Sequence, residues 1–352
     1  MPEWLNGAVS KTVVGRSVDR GFESHPLRSP GRTIRQVRAV RLTSYGGPDG
    51  LELAELPEPA ARHGQVLVDV TRAGVNYADI GRREGTYDVV ESLPRVLGGE
   101  VAGHRRDTGE RVVALTLDGG GYAEVVAVDE SLAFPIPDDV GDDQAVALLI
   151  QGLTAYHVVR SAGRLGEGEA IVVHAAAGGV GSIAVQLARL WGAGRIIGVA
   201  STPEKRRLAE EHGAHVTVNA GPEALKHRLI DANRGRRVDV VLEMVGGEVF
   251  RQSLHALAPF GRIVVFGATA NEPRDVPPDE LVELNVSLAG FWLRPLIETP
   301  ERLAGPLAEL FGYVRDGSLR PHIGRLYALD EVRAAHADLQ GRRSVGKLLL
   351  AP

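Results

Sequence analysis

From residue 170 onward the chain alternates between two hydrophobic periods. Residues 170–173 are an apolar run, 182–191 are amphipathic with helical spacing, and 195–200 are apolar again. The same rhythm predicts helices at 203–212, 222–233 and 248–257. Between and after them it predicts strands at 215–219, 238–244 and 261–266. Strands that alternate with helices form a parallel, doubly wound sheet. Upstream the pattern is different. Residues 37–42 and 51–55 read as a hairpin around a Gly/Pro turn, and 65–73, 100–103, 110–114 and 121–128 as short strands. Such strands punctuated by Gly and Pro suggest a compact, barrel-like unit. Helical spacing covers 142–162. The tail predicts helices at 301–316 and 330–340 and a strand at 346–350, folding back onto the first unit.

Between the strand at 170–173 and the helix that follows lies His174-Ala175-Ala176-Ala177-Gly178-Gly179-Val180-Gly181. A glycine-rich turn there lets backbone N–H groups approach a phosphate, and the helix N-terminus adds partial positive charge. The second strand ends about 20 residues beyond the last motif glycine, as a dinucleotide-binding βαβ unit requires. The motif points to a redox cofactor and so to an enzyme.

Composition narrows the field. The chain has 352 residues, enough for two domains, with 44% hydrophobic and 24% charged residues. A net charge of −5 gives no broad basic surface for nucleic acid or an anionic membrane. With no cysteine, disulfides, thiolate zinc sites and cysteine nucleophiles are excluded. No apolar run is long enough for a membrane span, and the first residues lack a signal-peptide pattern, so a cytoplasmic location is the expectation. Residues 1–36 show no steady period. Gly21-Phe22-Glu23-Ser24 matches one reading frame of a transfer-RNA gene's T-arm. The expectation is either a mis-assigned extension ahead of a natural start at Val37 or a disordered arm.

The order of several further strings resembles the medium-chain dehydrogenase/reductase superfamily, and within it the zinc-free, zeta-crystallin-like quinone oxidoreductase branch. They are Ala73-Gly74-Val75-Asn76-Tyr77-Ala78-Asp79, Gly98-Gly99-Glu100-Val101-Ala102-Gly103, Gly109-Glu110-Arg111-Val112, Gly120-Gly121-Tyr122-Ala123-Glu124 and Gly152-Leu153-Thr154-Ala155-Tyr156. The resemblance implies an α/β chain with a GroES-like β-rich catalytic domain and a Rossmann doubly wound parallel sheet. The boundaries expected are 37–151 for the first part of the catalytic domain, 152–293 for the NADPH-binding domain, and 294–352 for a return to the catalytic domain. It also implies a homodimer, formed through residues 286–293 at the sheet edge. Where zinc alcohol dehydrogenases hold catalytic zinc ligands, this chain has Asn76, Gly99 and Ile150. Gly and Ile offer no donor, so no metal is expected. His104 lies near Glu100 and reads as a surface histidine.

The second strand ends at Ala200 rather than Asp or Glu, followed by Ser201, Thr202, Lys205 and Arg206. That suits a 2′-phosphate and favours NADPH. Alternatively, Lys205 and Arg206 decorate an exposed helix face, with Glu210 pairing Arg206. Ala220 stands where relatives often carry Tyr, which counts against tight phosphate binding. Gly178, Gly179, Val180 and Gly181 bound the pyrophosphate turn. Thr154 matches a cofactor-contacting Thr or else caps a helix. Val245, Phe266, Gly267 and Ala268 lie at strand ends on the ligand-facing edge. Phe291 and Trp292 either cover the nicotinamide or are core or interface aromatics. Lys347 matches a position near the cofactor, although a surface lysine is the preferred reading.

For chemistry, Asn76 orients substrate or ribose. Asp79 either lines the cleft or caps a helix beginning near Tyr77. Tyr87 matches the proton donor of related enoyl reductases or merely lines the pocket, with Tyr77 in reserve. The expected function is NADPH-dependent reduction of a quinone or an α,β-unsaturated carbonyl compound by hydride transfer without zinc. The alternatives are an enoyl-thioester (acyl-CoA or acyl-carrier) reductase and a non-catalytic NADPH-binding structural or regulatory protein.

Overall fold

In the computed structural model the described residues are 35–87, 92–267 and 274–352. The expectations for residues 1–34 and for Ala268 therefore lie outside the described residues. The first strand, Gln36–Leu42, begins one residue before Val37 and pairs antiparallel with Leu51–Pro57. Val37, Ala39, Val40 and Leu42 point into the core along it. Gln36 thus belongs to the sheet, which corrects the boundary at residue 36.

The β-rich lobe is built on a seven-stranded sheet. Its path runs Ile323–Ala328, Lys347–Ala351, Gln65–Val75, Glu100–Arg105, Arg111–Leu115 and Ala133–Pro135, with Val125–Asp129 paired onto Gln65–Val75. The tail returns to the first lobe as expected: Leu348, Leu349 and Leu350 lie opposite Val75, Gly74 and Ala73. Only Tyr327 of Ile323–Ala328 is buried, so that strand carries no alternation for the sequence to reveal. The strand expected at 121–128 is shorter. Gly119 and Gly120 have positive φ (104° and 101°), which bends the chain out of the ladder before Val125.

The second lobe is a six-stranded parallel sheet. Its order is Val216–Asn219, Arg195–Ala200, Ala170–His174, Val238–Glu243, Leu257–Val265 and Ser287–Gly290. All five residues of Ala170–His174 are buried, as expected of a strand with helices on both faces. Two helix expectations need trimming. Ala224 is left-handed (φ 51°), so its helix starts at Leu225 rather than 222. The helix expected at 248–257 is Gly247–Leu254, and Leu257 already belongs to the next strand, which kinks at Phe260 (φ 67°). The helical run 142–162 is continuous, but two segments, Leu148–Gly152 and His157–Ala162, are wound as π-helix. The wider turn at Leu148–Gly152 carries Ile150 and Gln151 toward the other lobe, a use typical of π segments. Among the described residues no helix is long and apolar enough to cross a membrane.

Candidate active site

The glycine turn sits at the carboxyl end of the central strand Ala170–His174. Gly178 precedes the helix Gly179–Leu190, whose first N–H groups have no partner within the helix. Ala175 takes a left-handed backbone (φ 49°), and a Cβ on Gly181 would come within 2.2 Å of its carbonyl oxygen. Glycine is therefore required at 181 for helix and turn to meet. A Cβ on Gly179 would lie 1.9 Å from the Gln151 amide oxygen of the opposing π turn. The turn is also tied to the far end of the chain, where the Gly346 N–H donates to the Ala177 carbonyl at 2.8 Å. The two lobes therefore meet at the phosphate turn.

Asn76, at the start of the helix Tyr77–Glu84, is linked to this turn through Gln151. Its Nδ2 donates to Glu100 Oε1 at 2.7 Å, and its Oδ1 accepts from Lys347 Nζ at 2.9 Å and from Gln151 Nε2 at 3.3 Å. Lys347 Nζ also donates to Glu100, whose other oxygen accepts from the Ile150 N–H at 2.7 Å. Lys347 is 1% exposed, which overturns the surface-lysine reading; it forms a buried ion pair with Glu100. Asp79 is fully buried. Its carboxylate accepts from the Asn76 N–H at 2.9 Å and from the Tyr122 hydroxyl at 3.0 Å, and it lies 3.3 Å from Arg82 NH1. It holds the helix start in shape rather than reaching the groove. Burial, then the Asp79 charge, raise the Tyr122 pKa well above its usual value, so its proton stays. His336, 3.3 Å from the Tyr122 hydroxyl, is pushed down to about 3 by burial and then by the charge of Arg83. His174, beside the motif, is pushed down to about 4 by burial and meets the Ser253 hydroxyl at 2.9 Å. Both histidines are neutral at physiological pH.

At the mouth of the groove Tyr87 accepts a hydrogen bond from the Trp292 indole N–H at 2.6 Å. The two rings meet edge to face at 6.2 Å, and the Arg82 guanidinium lies 5.3 Å from the Tyr87 ring centre. Of the two aromatics named from sequence, Phe291 stacks on His157 at 5.3 Å and packs against the core. Trp292, 53% exposed, is the one that reaches across to Tyr87. Thr154 is buried inside the helical run rather than at a cap.

At the end of the second strand Ser201 is exposed, and Thr202 Oγ1 caps the next helix by accepting the Lys205 N–H at 3.3 Å. Lys205 Nζ donates to the Arg342 carbonyl at 2.7 Å. Burial, then the Arg342 charge, lower the Lys205 pKa. Two cations held together in this way favour an anion between them. Arg206 instead donates to the carbonyls of Ala200 and Ser201, and Glu210 accepts from Thr217 at 2.7 Å, so the expected Arg206–Glu210 pairing is absent. Val245 and Gly267 are placed by Glu243 and Arg274. The Glu243 carboxylate accepts the Val245 and Gly246 N–H groups, at 2.5 and 2.8 Å, and pairs with Arg274, which donates to the Gly267 carbonyl at 2.7 Å. Phe266 follows the same edge, its N–H bonded to the Glu243 carbonyl at 3.2 Å. His104 is exposed, and among the described residues no group of three or more His, Asp or Glu is placed to hold a metal.

Sequence reasoning missed Glu100, Gln151, Arg82 and Arg342. Glu100 lies in a quoted string, but its partner is 247 residues away. Nothing local marks Gln151 or Arg342.

A glycine turn at the carboxyl edge of a parallel sheet, closed by a β-rich lobe that presents Asn and Tyr, defines a two-lobed dinucleotide oxidoreductase. Comparison with known proteins sharpens this. Residues 62–138 match the alcohol dehydrogenase GroES-like domain and residues 179–309 the zinc-binding dehydrogenase domain. A quinone oxidoreductase of Pseudomonas aeruginosa is 34% identical over 331 residues, spanning 90% of this chain and all of that protein. A mycobacterial protein solved with NADPH superposes with a TM-score of 0.83 at 33% identity, covering 90% of this chain and 100% of that one. The quinone oxidoreductase of Escherichia coli, also solved with NADPH, gives 0.84 at 30% identity over 90% and 100%. The chain belongs to the quinone oxidoreductase family of the medium-chain dehydrogenase/reductase superfamily.

Proposed function

We propose that the protein binds NADPH across the groove and reduces quinones or α,β-unsaturated carbonyl compounds without a metal. The cofactor fits the residues present. Glycine at 179 and 181 lets the turn pack closely on Gln151 and on the Ala175 carbonyl, the tight turn that a pyrophosphate site needs, and Lys205 with Arg342 supplies the charge for a 2′-phosphate. The relatives solved with NADPH support the same choice. When bound, NADPH supplies the hydride equivalent. Asn76, fixed by Glu100, Gln151 and Lys347, orients the groups beside the turn.

The observation that carries the reading is the Tyr87 hydroxyl. It accepts the Trp292 N–H, which leaves its own proton to be given to the substrate's oxygen or the carbon next to it. Gly99 and Ile150 offer no metal donor at places where a zinc dehydrogenase needs them. A conjugated acceptor suits such a site, because the charge produced by hydride addition spreads to a carbonyl oxygen that hydrogen-bond donors can serve.

The test is NADPH oxidation with a quinone, a simple enone and crotonyl-CoA, for the wild type and Tyr87→Phe. Quinone or enone turnover should exceed crotonyl-CoA turnover, and Tyr87→Phe should lower kcat on the enone about 100-fold. Crotonyl-CoA as the best acceptor would instead make it a thioester reductase. Tight NADPH binding with no turnover of any acceptor would make it a binding protein. Lys205→Ala should raise the KM for NADPH about tenfold and leave that for NADH unchanged. Equal effects on both cofactors would remove the phosphate assignment. We further assign a homodimer, formed through the outer sheet edge.

A further inference from the structure

The strands Arg195–Ala200 and Val216–Asn219 run parallel at the outer edge of the six-stranded sheet, with Ala200 opposite Asn219. Neighbouring strands lie about 4.8 Å apart. The chain leaving Asn219 therefore starts beside Ala200 and Ser201, where a dinucleotide-binding unit receives the adenosine ribose. That chain is Ala220-Gly221-Pro222-Glu223, and the left-handed Ala224 turns it into the helix Leu225–Ala232. A methyl group at residue 220 offers no flat surface to the base that hangs from this ribose.

Arg228, on that helix, reaches back over the loop. Its Nη1 donates to the Asn219 carbonyl at 2.6 Å and its Nε to the Glu223 carbonyl at 3.3 Å. Its Nη2 donates to the Gly221 carbonyl and, at 3.0 Å, to the Glu223 carbonyl. All four bonds end on backbone oxygens and lie at the rim of the planar group, so they fix its plane. Among the described residues it has neither a carboxylate partner nor an aromatic ring against it, and the side chain is only half-buried. A guanidinium has one N–H more than these bonds use. A phosphate, which grips a guanidinium edge-on through paired N–H groups, therefore finds little to hold. A flat ring needs no N–H, because it lies on the face of the cation.

We infer that Arg228 is the platform on which the adenine of the bound dinucleotide stacks, in place of an aromatic side chain at residue 220. The inference rests on the dinucleotide binding proposed above and is independent of the acceptor. Recognition is thereby divided along the outer edge. Lys205 and Arg342 serve the 2′-phosphate, which NADPH alone carries, whereas Arg228 serves the base that NADPH and NADH share. Arg228 adds affinity without discriminating between the two cofactors.

The test is the Kd of the full-length chain for NADPH and for NADH by fluorescence titration, in wild type, Arg228→Ala, Arg228→Lys and Arg228→Ala/Ala220→Tyr. Arg228→Ala should weaken both cofactors by the same factor, about tenfold. Arg228→Lys keeps the charge, loses the plane and should be as weak. The double variant supplies a ring beside the ribose and should return both cofactors to within about threefold of wild type. Reduced nicotinamide mononucleotide has no adenine, and its Kd should be the same in all four proteins. A loss confined to NADPH would make Arg228 a phosphate ligand and overturns the inference. So does unchanged affinity in Arg228→Ala or Arg228→Lys, an equal loss that Ala220→Tyr leaves unrestored, or a parallel loss on the mononucleotide, which marks damage to the fold. A wild type that binds both cofactors yet reduces no acceptor removes the proposed reduction and leaves the inference standing. One that binds neither cofactor removes both.

Discussion

At the scale of single residues, the site is held by charges that the sequence scatters. Lys347 and Glu100 lie 247 positions apart, yet they form a buried pair, and Asn76 bonds to each of them. A lone lysine before a terminal strand reads as surface, because the cost of burying it is hidden until its partner is known. Asn76, Asp79 and Tyr87 could be named from the chain because they sit in one helix and its flanking turn, although Asp79 proves to brace the helix start rather than line the groove. Arg82 and Gln151 could not, since each is defined by what stands opposite. Lys347→Met leaves the Glu100 carboxylate buried without its cation and should cost about 3–5 kcal/mol of stability, measured by urea unfolding. The double variant Lys347→Met/Glu100→Gln should recover part of that loss. A full loss in the double variant would show that Lys347 acts through packing alone.

At the scale of elements, the parallel sheet was the most legible part, because its strands are short apolar runs separated by amphipathic helices. The strand Arg195–Ala200 has the residues expected for it. Errors fell where the backbone leaves ordinary geometry, at the left-handed Ala224 and the kink at Phe260, while the expected helical run 142–162 formed but with π turns at Leu148–Gly152 and His157–Ala162. No hydrophobic period marks these places. The strand Ile323–Ala328 was missed because five of its six residues are not buried. The turn and the π segment depend on each other. Gly179→Ala would put a methyl 1.9 Å from the Gln151 amide oxygen, so Gln151 must release Asn76 or the turn must open. NADPH affinity, read by fluorescence titration, should fall at least about tenfold, since the phosphate approach relies on that closeness. Unchanged affinity would mean that Gln151 swings aside freely.

At the scale of the whole molecule, the order of strings across the chain made the two-lobed architecture readable, and the homodimer proposed through residues 286–293 can be set against the exposed surface of that edge. Ser287–Gly290 ends the strand order of the parallel sheet. Beside it Leu288 is 41% exposed, Val282 73% and Phe260 81%. An edge strand flanked by apolar side chains invites pairing, and a second copy offers the matching edge. Light scattering should give a dimer mass for the wild type and a monomer mass for Leu288→Lys. A dimer that survives this substitution would place the interface elsewhere. The pairing of Trp292 with Tyr87 reaches between the lobes and has a practical yield. An indole touching the proposed proton donor is an optical reporter already wired into the groove, so an acceptor that displaces Tyr87 from it should register as a change in emission, with no dye attached and no turnover needed.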